Sequence, residues 1–123
     1  MNGIRILCDT NVLIQLLNNN DDVVDFLTDK QVYISSITEL ELYKKTNLTV
    51  KEIKIIDMLV ENCYIVELTQ PVKQYVKQFS RKYKLKLPDT IIAASAIYSD
   101  IPLVTFDTDF SAIEELNLVL LKL

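Results

Sequence analysis

Acidic side chains follow the apolar segments of this 123-residue chain at several separate points, although an apolar strand has no structural need of them. The candidate catalytic acids are Asp9, Glu41, Asp89 and Asp107. Asp109 lies just beyond Asp107 and is a further candidate. Hard divalent cations such as Mg²⁺ and Mn²⁺ prefer carboxylate oxygens as protein ligands. The pattern therefore predicts a metal site, with Asp9, Asp89, Asp107 and Asp109 as its candidate ligands.

Most of these acids also have a purely structural interpretation that the sequence leaves open. Asp89 could be an ordinary first-turn acid of a helix. Asp107 and Asp109 could be turn residues that bond to their own backbone. Asp9 is the hardest to explain in this way, because a charge at the end of a buried strand is costly unless it is paired or binds a metal.

Two overlapping capping boxes are possible around Glu41. One pairs Thr38 with Glu41, and the other pairs Ser36 with Glu39. If Ser36 is the N-cap, Glu39 completes the box. Glu41, which lies roughly 200° further around the helix, is then free to face elsewhere.

Apolar runs and capping signals predict alternating strands and helices without a linker or repeat. Strands are predicted at residues 4–8, 32–35, 64–66, 103–105 and 118–121, and helices at 11–17, 22–28, 37–45, 50–61, from 72 to about 83, and 88–98. The first helix is expected to be capped near Thr10 or Asn11, and the fourth by a capping box at Thr49. This order predicts one α/β domain over residues 1–123, with a parallel or nearly parallel five-stranded sheet covered on both faces. Such sheets bind ligands at the carboxyl ends of their strands, so the distant acids are expected to meet there.

Four polar residues next to the acids are candidates for orienting ligands or water by hydrogen bonds. They are Thr10, Asn11, Thr38 and Thr105. Each can equally be a plain helix cap or strand end.

A basic stripe at helical spacing precedes Asp89. It consists of Lys73, Lys77, Arg81 and Lys84, in a segment from residue 68 to 88 that contains no acid. Such a stripe is usually a solvated helix face. Its position before Asp89 makes these residues candidates for contacts with nucleic-acid phosphates.

Composition excludes several other chemistries. The chain has no histidine, which removes Ser-His-Asp and Cys-His hydrolysis and the usual zinc sites. Its one glycine, Gly3, precedes the first strand, so neither a P-loop nor a dinucleotide-binding loop can be built. With a formal net charge of −4, the chain needs metal ions and a local basic patch to attract nucleic acid.

Two further expectations concern the environment of the chain. Cys8 and Cys63 are expected to be reduced core residues in a cytoplasmic protein, since the first residues lack the features of a secretion signal. The mean hydropathy of +0.19 suggests that some apolar surface is covered in a homodimer.

Four segments resemble the motifs of PIN domains, in the same order and over almost the whole chain. They are residues 8–14 (CDTNVLI), 36–42 (SITELEL), 87–94 (LPDTIIAA) and 103–110 (LVTFDTDF). The motif acids correspond to Asp9, to Glu41 rather than Glu39, and to Asp89. In the fourth motif Asp107 fits the usual acid or amide, and Asp109 is an additional candidate.

The resemblance implies a three-layer α/β/α sandwich and a ribonuclease that uses Mg²⁺ or Mn²⁺ to hydrolyse RNA phosphodiester bonds. The short form is similar to the VapC-type toxins of bacterial toxin–antitoxin pairs, which typically dimerise and are inhibited by a small antitoxin. Lys45 departs from the family, since it lies near a position where many such toxins have glycine. The alternative is a non-catalytic PIN-like module that binds RNA or protein. A phosphoaspartyl phosphatase is disfavoured, because it needs a second acid where this chain has Asn11.

Overall fold

The structure is a computed structural model that describes residues 3–122. The strands are β1 (Arg5–Cys8), β2 (Gln31–Ser35), β3 (Tyr64–Val66), β4 (Leu103–Thr105) and β5 (Leu118–Leu120). The helices are α1 (Thr10–Leu17), α2 (Asp21–Leu27), α3 (Ser36–Glu41), α4 (Val50–Glu61), α5 (Gln70–Lys82) and α6 (Leu87–Ser99), and a short 3-10 helix, Thr108–Ala112, follows β4. Within residues 3–122, every helix is too short or too polar to cross a membrane.

The five strands form one parallel sheet in the order β3-β2-β1-β4-β5. The chain moves outward from β1 to β3 on one side, then returns to place β4 on the other side of β1. Such a reversal leaves a crevice between the carboxyl ends of the two strands, which is where open α/β sheets bind ligands. The predicted α/β architecture is confirmed, and the crevice lies between β1 and β4.

Alternation along β1 explains the three layers. Ile6 and Cys8 point to the side of the sheet that packs against α1, α2 and α4, whereas Leu7 points to the side covered by α6. All three side chains are at most 2% exposed. A strand that is apolar on both faces has to lie in the middle of such a sandwich, so β1 takes the central position.

Helices α5 and α6 pack closely against each other, because α6 presents small side chains at the contact. Ala94 is fully buried and lies in one cluster with Val72 and Phe79 of α5. Phe79 is 1% exposed. This contact packs the apolar face of α5 against α6 and leaves the basic face of α5 exposed to solvent.

Several predicted helix boundaries were wrong. Asp9, rather than Thr10 or Asn11, is the N-cap of α1. Ser35, rather than Ser36, is the N-cap of α3, since its hydroxyl accepts a hydrogen bond from the Thr38 amide at 3.2 Å.

Helix α3 ends at Glu41 instead of continuing to residue 45. The amides of Tyr43 and Lys44 bond to carbonyls three residues back, which tightens the chain into turns. The capping box of α4 at Thr49 is confirmed. Both cysteines are free thiols as expected, and burial raises the pKa of Cys63 to about 11.

Candidate active site

Asp9 lies where β1 ends and α1 begins, and both of its carboxylate oxygens accept short hydrogen bonds. The Thr10 amide donates to Oδ1 at 2.7 Å, and the Thr105 hydroxyl donates to Oδ2 at 2.7 Å. Asp9 is only 5% exposed, and Thr105, at the end of β4, is fully buried. Neighbouring parallel strands thus hold the carboxylate across the crevice with uncharged donors.

Burial dominates the electrostatics of Asp9 and raises its pKa above the ordinary value. The hydrogen bonds from Thr105 and Thr10 act in the opposite direction, because they favour the charged form. The charges of Asp107 and Glu41 raise the pKa further. Asp9 is therefore a buried carboxylate whose ionised form is disfavoured by the neighbouring acids and would be stabilised by a nearby cation.

Glu41, the last residue of α3, faces α1 across the site. The Thr10 hydroxyl donates to its Oε1 at 2.7 Å. The same hydroxyl lies 3.0 Å from the hydroxyl of Thr38, which is fully buried. The interpretation of Glu41 as the capping partner of Thr38 is therefore wrong, and its carboxylate faces the site instead.

Asp89 is the third residue of α6 and is half-buried. Its pKa is raised from 3.8 to about 6, first by burial and then by the charges of Asp9, Asp107 and Glu41. Lys86, the N-cap of α6, lowers the pKa of Asp89. The four acids predicted to be catalytic thus influence one another electrostatically, although they are far apart in sequence.

Asp107 is a turn residue, as its structural interpretation predicts, and it also lies beside the residue that holds Asp9. Its Oδ1 accepts a hydrogen bond from the Asp109 amide at 2.9 Å, which caps the 3-10 helix. Its own amide donates to the Thr105 hydroxyl at 3.0 Å, which ties it to the residue that holds Asp9. Asp109 is exposed, and the charges that raise the pKa of Asp89 include Asp107 but not Asp109. This distribution favours Asp107 as the fourth acid.

The donor set fits a divalent metal ion in its chemistry. It consists of carboxylates that repel one another, and a hard cation would relieve that repulsion. Within residues 3–122, no three Asp, Glu or Cys side chains are already close enough to form a coordination cluster. The acids would have to move closer together when a metal ion binds.

Three of the four predicted supporting residues lie in the site. Thr105 bonds to Asp9, and Thr10 and Thr38 form a chain that ends at Glu41. Asn11 is exposed on α1 and takes no part in the hydrogen bonds that join the other three within the described part of the chain.

Sequence reasoning missed Ser35, which is fully buried and donates to the Thr38 hydroxyl at 3.3 Å. The available signal was that Ser35 ends a strand directly before a helix, which is a position typical of an N-cap.

The basic stripe lies on the exposed face of α5 and just beyond its end. Lys73, Lys77, Arg81 and Lys84 are all exposed. The neighbouring Lys82 instead pairs with Glu115 at 3.3 Å. The stripe therefore presents several positive charges to solvent, as a phosphate-binding surface requires.

The sequence profile of the PIN domain matches residues 6–116. The chain belongs to the PIN domain family. The match includes all four acids and most of the five-stranded sheet. No curated protein matches the chain in sequence.

Solved structures with the same fold cover nearly the whole chain. A toxin–antitoxin complex from Klebsiella pneumoniae contains a chain that is 30% identical, with a TM-score of 0.80 and coverage of 93% of this chain and 95% of that one. VapBC-1 from nontypeable Haemophilus influenzae is 20% identical, with a TM-score of 0.78 and coverage of 95% and 98%. FitAcB from Neisseria gonorrhoeae is 25% identical, with a TM-score of 0.71 and coverage of 92% and 95%. The PIN domain fold predicted from the motifs is confirmed.

Proposed function

We propose that this PIN domain is a Mg²⁺- or Mn²⁺-dependent endoribonuclease and the toxin of a toxin–antitoxin pair. The observation that carries the proposal is the placement of Asp9, Glu41, Asp89 and Asp107. Asp9 and Asp107 follow the carboxyl ends of β1 and β4, and the charges of the other acids raise the pKa of Asp9 and of Asp89. Uncharged hydroxyls and amides hold Asp9, Glu41 and Asp107, so their negative charge is available to a cation.

In this proposal the four carboxylates bind the cation, and Asp109 supports Asp107 through the 3-10 helix turn. When bound, Mg²⁺ or Mn²⁺ would activate water and stabilise charge on the phosphoryl oxygens. The Thr105 hydroxyl donates a hydrogen bond to one carboxylate oxygen of Asp9, and the Thr10 hydroxyl donates one to a carboxylate oxygen of Glu41. These hydroxyls fix the orientation of the carboxylates, so that less rearrangement is needed at each turnover.

The exposed stripe on α5 is the proposed contact for the RNA backbone. Lys73, Lys77, Arg81 and Lys84 would place positive charge on a protein whose net charge is −4. Since such contacts release counterions, they predict RNA binding that weakens steeply with salt.

The central test is RNA cleavage by the Asp9→Asn variant. The purified parent is expected to cleave RNA with Mg²⁺ or Mn²⁺ and to lose this activity with a chelator. Asp9→Asn should abolish cleavage while the fold remains intact by circular dichroism, since the amide has nearly the same shape and no charge. Asp25→Asn, which changes an exposed acid on α2, is the matched control and should retain activity.

The opposite result would support the non-catalytic alternative. A parent that binds RNA but shows no metal-dependent turnover is a binding module rather than an enzyme. Cleavage by Asp9→Asn at the parental rate would show that the assigned acids do not perform the reaction.

An apolar groove beside Glu41 is the proposed site for the antitoxin. It has a volume of about 330 Å³ and lies between α1, the end of α3 and α4. Its apolar lining consists of Ile14, Leu17, Leu42, Leu48, Ile55 and Ile56. Lys45, the residue that departs from the family, is exposed at this groove and pairs with Glu52 at 3.2 Å.

The occupant we propose is an apolar segment of a small antitoxin, because similar solved structures include a toxin–antitoxin complex at 30% identity. Binding there would place the segment next to Glu41. The test is co-purification with any small protein encoded by a neighbouring reading frame. Ile55→Glu should prevent binding, whereas Met58→Glu, at a 63% exposed position on α4 outside the groove lining, should not. Equal binding by both variants would contradict this assignment.

A homodimer is also proposed, with apolar side chains near the site as its contacts. Leu40 on α3 is 66% exposed and Leu87 at the start of α6 is 60% exposed, and these two helices pack together. Leu40→Glu is expected to convert a dimer into a monomer in sedimentation experiments. A monomeric parent would contradict the proposal.

A further inference from the structure

Three hydroxyls form a continuous hydrogen-bonded chain that ends at the carboxylate of Glu41. The hydroxyl of Ser35 bonds to that of Thr38 at 3.3 Å, that of Thr38 to that of Thr10 at 3.0 Å, and that of Thr10 to Glu41 Oε1 at 2.7 Å. Ser35 and Thr38 are fully buried, and Thr10 is 8% exposed. The chain crosses from the end of β2 to the start of α1.

The direction of every hydrogen bond in this chain is fixed by proton counting. An ionised carboxylate only accepts, so Thr10 must donate its single hydroxyl proton to Glu41. Thr38 must then donate to Thr10, because Thr10 has no second proton. By the same reasoning Ser35 donates to Thr38, while Ser35 itself accepts from the Thr38 amide at 3.2 Å.

We infer that Ser35 and Thr38 are positioning residues that act on Glu41 through Thr10, in series. This inference rests on the proposed function only for its consequence for catalysis. The aligned dipoles all point their positive ends toward the carboxylate and polarise one another. They fix Oε1 of Glu41 in place. The same hydrogen-bonded chain thus joins Ser35, the N-cap of α3, to the carboxylate of Glu41, the last residue of that helix.

The hydrogen-bonded chain of hydroxyls does more than provide partners for buried polar groups. A buried hydroxyl usually satisfies itself within its own helix, as Ser95 does by donating to the Ile91 carbonyl at 2.8 Å. Thr38 could have done the same with the carbonyl of the N-cap residue, Ser35. Instead it donates across 28 residues of sequence to Thr10.

Removal of the middle hydroxyl tests the inference. Thr38→Val keeps the shape of the side chain and removes its donor, so Thr10 loses its fixed orientation. We expect Mn²⁺ affinity, measured by calorimetry, and kcat for RNA cleavage each to fall about tenfold, the loss typical of one hydrogen bond to a charged group. Thr38→Ser restores the hydroxyl and should restore most of both quantities. Ser95→Ala, which removes a buried hydroxyl elsewhere, should change neither.

The series arrangement makes a sharper prediction for the double variant. Once Thr10→Val has removed the last link, Thr38→Val has nothing to act through. The double variant should therefore bind Mn²⁺ as weakly as Thr10→Val alone. If the two losses multiply instead, the residues act independently and the inference is wrong. Failure of Thr38→Ser to restore affinity would overturn it as well, since shape rather than the hydroxyl would then matter.

Two measurements keep this test separate from the proposed function. A parent that binds Mn²⁺ but does not cleave RNA contradicts the enzyme, while the affinities of the variants still decide the inference. The urea denaturation of the metal-free proteins supplies a second measurement, in which the destabilisations by Thr10→Val and Thr38→Val should not add. Additive destabilisation would contradict the inference that Thr38 acts through Thr10, whether or not metal binds.

Discussion

Replacement of Asp89 by asparagine is expected to stabilise the metal-free protein at neutral pH, although it removes a proposed metal ligand. The pKa of Asp89 is raised to about 6 because burial and the charges of Asp9, Asp107 and Glu41 disfavour its ionised form. Between its ordinary pKa of 3.8 and about 6, the folded protein binds more protons here than the unfolded chain does. The free energy of unfolding therefore falls as the pH rises through this interval.

The magnitude follows from the same values. At about 1.4 kcal/mol per pKa unit, the difference between 3.8 and about 6 corresponds to about 3 kcal/mol. Solvent screens a half-exposed carboxylate, which reduces this figure. The start of α6 also favours a negative charge by about 0.3–1 kcal/mol, which asparagine gives up. We therefore expect Asp89→Asn to be about 1–2 kcal/mol more stable than the parent above pH 7.

The assay is urea denaturation in the presence of a chelator at pH 4 and pH 7.5. The variant should gain stability relative to the parent only at the higher pH, because protonated Asp89 and the asparagine that replaces it are both uncharged. Mn²⁺ should then reverse the order at pH 7.5 by stabilising the parent more than the variant. Asp25→Asn is the matched control and should show no such pH-dependent gain. A variant that is no more stable than the parent at pH 7.5 would refute the mutual repulsion of the acids.

Three further predictions concern other contacts. Thr105→Val should destabilise the protein by about 1–3 kcal/mol in urea denaturation and weaken Mn²⁺ binding, because Asp9 loses a hydroxyl donor inside the core. Gly3→Ala should cost about 1–3 kcal/mol in the same assay, since its added Cβ would lie 2.5 Å from the Asp29 carbonyl oxygen. Lys77→Gln should weaken RNA binding and lower the salt slope by about one charge, as measured by fluorescence anisotropy at several salt concentrations.

The sequence predicted the layers of the fold well because each strand carries a local signal. Ile6, Leu7 and Cys8 form an apolar run that is typical of a strand buried on both faces. The order of the strands lies outside such local signals, since the pairing of β1 with both β2 and β4 depends on contacts between distant segments. The motif resemblance predicted the family fold, and the order of its strands was left open.

The helix ends were harder to predict because neighbouring side chains compete for the same cap. Ser35 and Ser36 are both good N-caps, and only the position at which β2 ends makes Ser35 the one that bonds to the Thr38 amide. Asp9 caps α1 for a similar reason, because it is the last residue before the chain turns out of the sheet. A cap is decided by backbone geometry, which residue type alone does not determine.

The polar partners of the acids explain why the site could be predicted only in part. Within residues 3–122 the ion pairs are Lys45–Glu52 and Lys82–Glu115. Hydroxyls and amides hold Asp9, Glu41 and Asp107 instead. A lysine at hydrogen-bonding distance would stabilise a buried carboxylate more simply, but it would also neutralise the charge that a metal ion needs. Threonine hydroxyls orient a carboxylate without cancelling its charge. Their role is invisible in sequence, since a threonine at a strand end or helix start has the same appearance whether it caps the backbone or holds an acid.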